Sequence, residues 1–138
     1  METLFELTIG SDLAEILGLS DRLEETLKTN GFSAEEILDT QLAVEEAITN
    51  VIVHGYQKPG EVIIVSCHIS RNYMEIQVAD AAPQFDPLSV PEPELGGSIE
   101  DRRIGGLGVY LIRQIMDEVS YHYKNGWNCL IMRKRRKI

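Results

Sequence analysis

In the stretch QLAVEEAITNVIVHGY, Glu46, Asn50 and His54 stand four residues apart, so on a helix they fall in one row. A carboxylate and an amide flanked by the small residues Ala43 and Ala47 leave room for a ligand phosphate or a metal ion to approach the helix. The same row can also be read as a solvated polar face with helix-favouring alanines, which is the simplest reading of Glu45. Asp80 closes the strand-like run YMEIQVAD on the face that carries Met74, Ile76 and Val78, where the alternation calls for an apolar residue. An inward carboxylate at a strand end can accept a hydrogen bond from an exocyclic amine such as that of adenine, or it can cap the turn into AAPQF. IGGLG, residues 104–108, puts three glycines directly before a helix, where free backbone N–H groups and the helix dipole can hold a phosphate. Those glycines could equally serve a tight turn with no ligand. Arg102 and Arg103 beside them either pair with phosphate oxygens or are solvated.

The elements that must position these residues can be read from periodicity. LFELTI alternates Phe5, Leu7 and Ile9 as a strand with one buried side. Leu13, Ile16, Leu17, Leu23 and Leu27 recur at helical intervals, with Gly18 as a possible bend and Asn30–Gly31 as a stop. SAEE at residues 33–36 has the spacing of a capping box and starts the long helix, which should end near Gly55. EVIIVSCHIS and YMEIQVAD form a hairpin about Arg71 and Asn72. Pro83 to Arg103 holds four of the five prolines and no periodicity, the signature of a functional or disordered loop. A glycine-opened helix follows, then VSYHYK and GWNCLIMRK about an Asn125–Gly126 turn. The order β-α-α-β-β-loop-α-β-β predicts an α/β (α+β) two-layer sandwich, a mixed, mostly antiparallel sheet with helices on one face.

The 138 residues, 43% of them hydrophobic, suit one domain spanning 1–138 with a core that needs no metal or disulfide. A net charge of -9 argues against a nucleic-acid surface, although RKRRKI places five basic residues at Arg133 to Lys137, read as a solvated strand end. Cys67 and Cys129 lie in apolar runs and read as buried thiols of a reducing cytosol. No charged leader opens the chain and no apolar run approaches the roughly 20 residues needed to span a bilayer, so a soluble, cytoplasmic protein is expected. His54, His68 and His122 lack zinc-site spacing, and neither GxxxxGK[ST] nor GxSxG occurs.

Taken together, EEAITNVIVHGY, the strand ending in Asp80 with FDP after it, the loop, and GGLGVYLI resemble the asparagine box and two glycine boxes of the ATP-binding superfamily of gyrase, histidine kinases and the heat-shock chaperone ATPase. Within it, the chain looks most like the anti-sigma-factor serine/threonine kinases. The resemblance covers essentially the whole chain and implies a Bergerat-type ATP-binding fold with ATP and Mg²⁺ as cofactors. It assigns Asn50 to the magnesium ion, Glu46 to the general base on the incoming hydroxyl, and Asp80 to the adenine amine, with Ala82 and Phe85 in the adenine box. It assigns residues 83–104 to the ATP lid, and Gly105, Gly106, Leu107 and Gly108 to the phosphates.

One position departs from the family's DxGxxFDP pattern: the chain reads DAAPQFDP, with Ala82 where glycine is usual. Alanine resists a positive φ by about 1 kcal/mol or more, but Asp80, Phe85, Asp86 and Pro87 are retained, so a modified rather than a lost ATP site is expected. The activity implied is phosphorylation of an anti-anti-sigma (STAS-type) partner and sequestration of a sigma factor, with a homodimer plausible. The alternative is an ATP-sensing binding module without phosphoryl transfer.

Overall fold

The structure is a computed structural model and describes residues 1–10, 12–58, 60–89 and 107–136. Strand β1 (Glu2–Ile9) leads into helices α1 (Leu13–Thr29) and α2 (Ala34–Asn50), and α2 continues into a π-helical turn, Val51–Tyr56. Strands β2 (Ile63–Ile69) and β3 (Tyr73–Asp80), a 3-10 turn at Pro87–Ser89, helix α3 (Leu107–Ile115) and strands β4 (Glu118–Lys124) and β5 (Trp127–Arg135) complete the order. The sheet runs β1-β2-β3-β5-β4. Every pairing among the described strands is antiparallel, so the mostly antiparallel sheet read from sequence contains no parallel pair here.

Local chemistry sets the element ends. The Asp12 carboxylate accepts from the Ala14 N–H at 2.8 Å and starts α1, which runs unbroken through Gly18. Ser33 and Glu36 form the reciprocal capping box that starts α2: the Glu36 N–H donates to Ser33 Oγ at 3.1 Å, and the Ser33 N–H donates to Glu36 Oε1 at 3.0 Å. At the β4–β5 hairpin, Asn125 and Gly126 have φ of 54° and 83°, the two positive values a tight two-residue turn requires.

Leu19, Leu23 and Leu27 of α1 and Val44 and Ile48 of α2 pack on Ile63, Val65, Met74, Ile76, Val78 and Met132 of the sheet. Full burial of such side chains contributes about 1.5–3 kcal/mol each. Cys67 is wholly buried, and burial pushes its thiol up to about 12, so it is an inert core residue.

The basic segment at the end of β5 departs from the solvated tail expected. Arg133 Nε donates to Glu75 Oε1 at 2.8 Å and its guanidinium lies 4.9 Å over the Tyr73 ring. Lys134 Nζ donates to the Ile115 carbonyl at 2.7 Å and lies 3.4 Å from Asp39, and Arg136 donates to the Ser70 carbonyl at 2.9 Å. Alternation along β5 sends Arg133 to the open face of the sheet and Lys134 to the helical face, so these cations tie the strand end to both layers. Lys137 lies outside the described residues, as does most of the Pro83–Arg103 segment, including Arg102 and Arg103.

Candidate functional site

Helix α2 and the C-terminal end of β3 form two walls of one cleft. Asn50 and Ala47 face it from α2, and Gly55 from the π-helical turn. Asp80 and Phe85 face it from β3 and the segment beyond, and Tyr121 and Asn128 from β4 and β5. The apolar walls with a few convergent polar groups have the character of a small-ligand pocket. Phe85 is 38% exposed, leaving its ring available to a ligand.

Asp80 sits inward at 6% exposure, as the alternation of β3 requires. Its Oδ1 accepts from Asn128 Nδ2 at 2.9 Å and from the Ala82 N–H at 3.0 Å. No described residue donates to Oδ2. Burial pushes the Asp80 carboxyl above its ordinary value, opposed by these two hydrogen bonds. A buried carboxylate with one oxygen occupied and the other accepting from no described residue is suited to accept an amine N–H.

Ala82 does not have the strain its sequence position suggested. Among the described residues the non-glycine positions of positive φ are Gln57 and Asn125, and Ala82 is not one of them. Its side chain is buried, and a Cβ at Gly55 would come 3.3 Å from the Ala82 Cβ. Close approach between the turn after β3 and the end of the α2 segment is therefore provided by Gly55.

Glu46 lies one turn before Asn50, half-buried, and faces the start of α3 rather than the cleft wall. A Cβ at Gly108 would come 2.8 Å from Glu46 Oε2, so the bare backbone of α3 leaves space for that carboxylate. The third member of the row, His54, is exposed, because the chain is π-helical from Val51 to Tyr56 and the 3.6-residue period no longer applies. Glu45 is exposed, as a solvated position should be. Gly105 and Gly106 lie outside the described residues; Leu107 begins α3.

Asn128, Tyr121 and Tyr56 were not singled out from the sequence. Tyr56 Oη donates to the Val62 carbonyl and accepts from the Ala81 N–H, both at 2.7 Å, fastening the helix end to the exit of β3. Asn128 could have been found: it shares a face with Leu130 and Met132, the same polar interruption of an apolar alternation that exposed Asp80.

Magnesium takes most of its six oxygens from water and phosphates and only one or two from protein. Asn50, which lines the cleft and carries a single amide oxygen, fits that habit. Among the described residues no cluster of three His, Cys, Asp or Glu could hold a metal by itself. None of the described helices is long and apolar enough to cross a membrane.

Residues 9–134 match the family model for the histidine kinase-like ATPase domain. The chain is 40% identical over 102 residues to the serine-protein kinase RsbW of Listeria innocua serovar 6a, an alignment covering 70% of this chain and 64% of that protein. It is 35% identical over 122 residues to the serine-protein kinase RsbW of Halalkalibacterium halodurans, covering 86% and 70%. Its fold superposes with a TM-score of 0.66 on the RsbU and RsbW domains of a Mycobacterium tuberculosis protein, at 16% identity, over 95% of this chain and 31% of that one. The chain belongs to the histidine kinase-like ATPase family, and the serine-protein kinases it matches within that family are longer, the chain spanning 64% of the Listeria relative and 70% of the Halalkalibacterium one.

Proposed function

We propose that the protein is an ATP- and magnesium-dependent serine/threonine kinase that acts as an anti-sigma factor and phosphorylates a STAS-type anti-anti-sigma partner. The observation that carries this reading is the arrangement along α2. Glu46 and Asn50 are one turn apart, Gly108 makes room for the Glu46 carboxylate, and Asp80 closes the other end of the cleft. In this reading Asp80 accepts the adenine amine through Oδ2, and Phe85 packs beside the base. Asn50 holds the magnesium ion, which when bound offsets the charge on the triphosphate. The segment ending in Gly105, Gly106, Leu107 and Gly108 brings backbone N–H groups to the phosphates.

Transfer needs a partner hydroxyl aligned with the γ-phosphate. The hydroxyl oxygen forms the new P–O bond, the bond to the β–γ bridging oxygen breaks, ADP leaves, and Glu46 takes the hydroxyl proton. A pure nucleotide sensor has no use for a carboxylate held in that position.

The test has two stages. Calorimetric titration with a non-hydrolysable ATP analogue should give saturable binding that weakens when EDTA removes magnesium; no binding by folded protein at millimolar analogue sinks the nucleotide reading. Incubation with labelled ATP and a STAS-type protein should then place phosphate on a serine or threonine of that protein. Binding without transfer to any such partner would leave the sensing module.

A further inference from the structure

Asn128 is buried at 5% exposure and every hydrogen-bonding position of its side chain is taken. Nδ2 donates to Asp80 Oδ1 at 2.9 Å and to the Ala82 carbonyl at 3.0 Å, with the Pro83 carbonyl at 3.3 Å sharing the second bond. Oδ1 accepts from the Phe85 N–H at 3.1 Å and from Tyr121 Oη at 2.6 Å. The Phe85 N–H can only donate and the Ala82 carbonyl can only accept, so the amide has one permitted orientation. It has no capacity left for a ligand.

We infer that Asn128 is a positioning residue for nucleotide recognition, locking Asp80 with Oδ1 turned inward and Oδ2 presented to the base while fixing the Ala82–Phe85 turn beside it. The inference rests on the nucleotide reading of the cleft and names what makes that site selective. Antiparallel register places Asn128 directly across from Asp80 on the adjacent strand, so the contact is built into the sheet and not into a loop. Without the amide, Asp80 keeps only the Ala82 N–H among its two hydrogen bonds, and its carboxylate can rotate. Because a donor to a carboxylate favours the charged form, Asn128 also keeps Asp80 ionised to lower pH.

The experiment is the affinity for a non-hydrolysable ATP analogue with magnesium, measured across pH 5 to 8 in the wild type, Asn128→Ala and Asn128→Thr. Asn128→Ala should bind about 10- to 100-fold more weakly, the range for losing a hydrogen bond to a charged group. Its loss of affinity on acidification should set in at higher pH than in the wild type. The nucleotide's own titration is common to all three proteins. The other titratable groups near Asp80 are Tyr56 from the helix end, Tyr121 from β4 and, on the opposite face of β5, Cys129, and burial raises all three, so they stay neutral over this range. Asp86 stands beside Tyr121 and is unchanged by the substitutions.

Asn128→Thr fits a strand and retains one hydroxyl donor, so its affinity and its acid limb should lie between the other two. A loss uniform across pH in both variants, with no displacement of the acid limb, would reduce Asn128 to a packing role and overturn the inference. So would wild-type affinity in either folded variant. Absence of binding by the wild type overturns the nucleotide reading itself, and is thereby distinguished from a failure confined to Asn128.

Discussion

Glu46 and Gly108 meet so closely that a methyl group on Gly108 would stand 2.8 Å from the Glu46 carboxylate oxygen. The contact joins the middle of α2 to the first turn of α3 and couples the glycine-rich segment to the candidate base. A glycine before a helix can serve phosphate binding alone; this one also sets where the carboxylate goes.

Gly108→Ala should therefore act on chemistry more than on folding. The opposing atom is the far end of a flexible side chain, so Glu46 can swing aside at little cost to stability. Displacing a reacting group by about 1 Å can cost about 100-fold in rate, and a fall of that order in phosphoryl transfer is expected. The thermal midpoint should stay within a few degrees of the wild type. A variant that transfers at the wild-type rate would remove Glu46 from the role of base.

Glu46→Gln should separate binding from transfer. The amide keeps the shape beside Gly108 but cannot take the hydroxyl proton, so transfer to a STAS-type partner should fall about 100- to 10,000-fold, the range for general-base catalysis. Affinity for the ATP analogue should stay near the wild-type value, since no binding contact is assigned to Glu46. Equal losses of binding and transfer would contradict this division.

Asp80→Asn should weaken ATP without unfolding the protein. Burial raises the Asp80 carboxyl above its ordinary 3.8, so the folded state holds that proton more tightly than the unfolded chain does. Stability from this group is therefore lost as pH rises from 3.8 through the folded value, and at neutral pH the ionised group opposes folding. Asparagine keeps the Oδ1 acceptor for Asn128 and Ala82 and removes the charge, so the thermal midpoint at pH 7 should hold or rise. In place of Oδ2 it presents an N–H donor, which suits a 6-oxo purine. ATP affinity should fall about 10- to 100-fold and the preference for inosine triphosphate over ATP should increase. Unchanged ATP affinity would exclude Asp80 from the base-binding end.

Much of this was legible in the sequence because it is written in short periods. The element order, the capping box at Ser33–Glu36, the inward Asp80 and the Asn125–Gly126 turn all depend on residues a few positions apart. The Asp80–Asn128 and Glu46–Gly108 relationships depend on strand register and helix packing between segments distant in the chain, which no local pattern fixes. His54 was misplaced because the helical period was extended through a turn that is π-helical. The basic end of β5 looked solvated because its partners, Glu75, Asp39 and the Ile115 and Ser70 carbonyls, come from other elements.

Ala82→Gly tests the departure from the family pattern. Ala82 is buried and free of positive φ, so glycine would relieve no strain. It would instead loosen the unfolded and folded backbone and leave a gap against Gly55, lowering stability by about 0.5–1 kcal/mol. ATP affinity should not improve. A clear gain in affinity, measured by the same calorimetry, would mean that alanine does hinder the base.

The Glu75–Arg133 pair on the open face of the sheet should set part of the acid limit of stability. Burial pushes the Glu75 carboxyl up, but hydrogen bonds from Gln77 and Arg133, with the charge of Arg133, outweigh it and leave the group below its ordinary 4.5. A carboxyl lowered by folding contributes stability that is present above 4.5 and lost as pH falls through the folded value. Arg133→Met keeps much of the apolar stem over Tyr73 and removes the charge, leaving a buried carboxylate with Gln77 alone. Its acid unfolding midpoint, followed by circular dichroism, should move to higher pH. Adding Glu75→Gln to Arg133→Met should return that midpoint toward the wild-type value, because the uncompensated charge is gone. If the single variant unfolds at the wild-type pH, the pair is not what holds Glu75 ionised, and the cation over Tyr73 contributes by stacking alone.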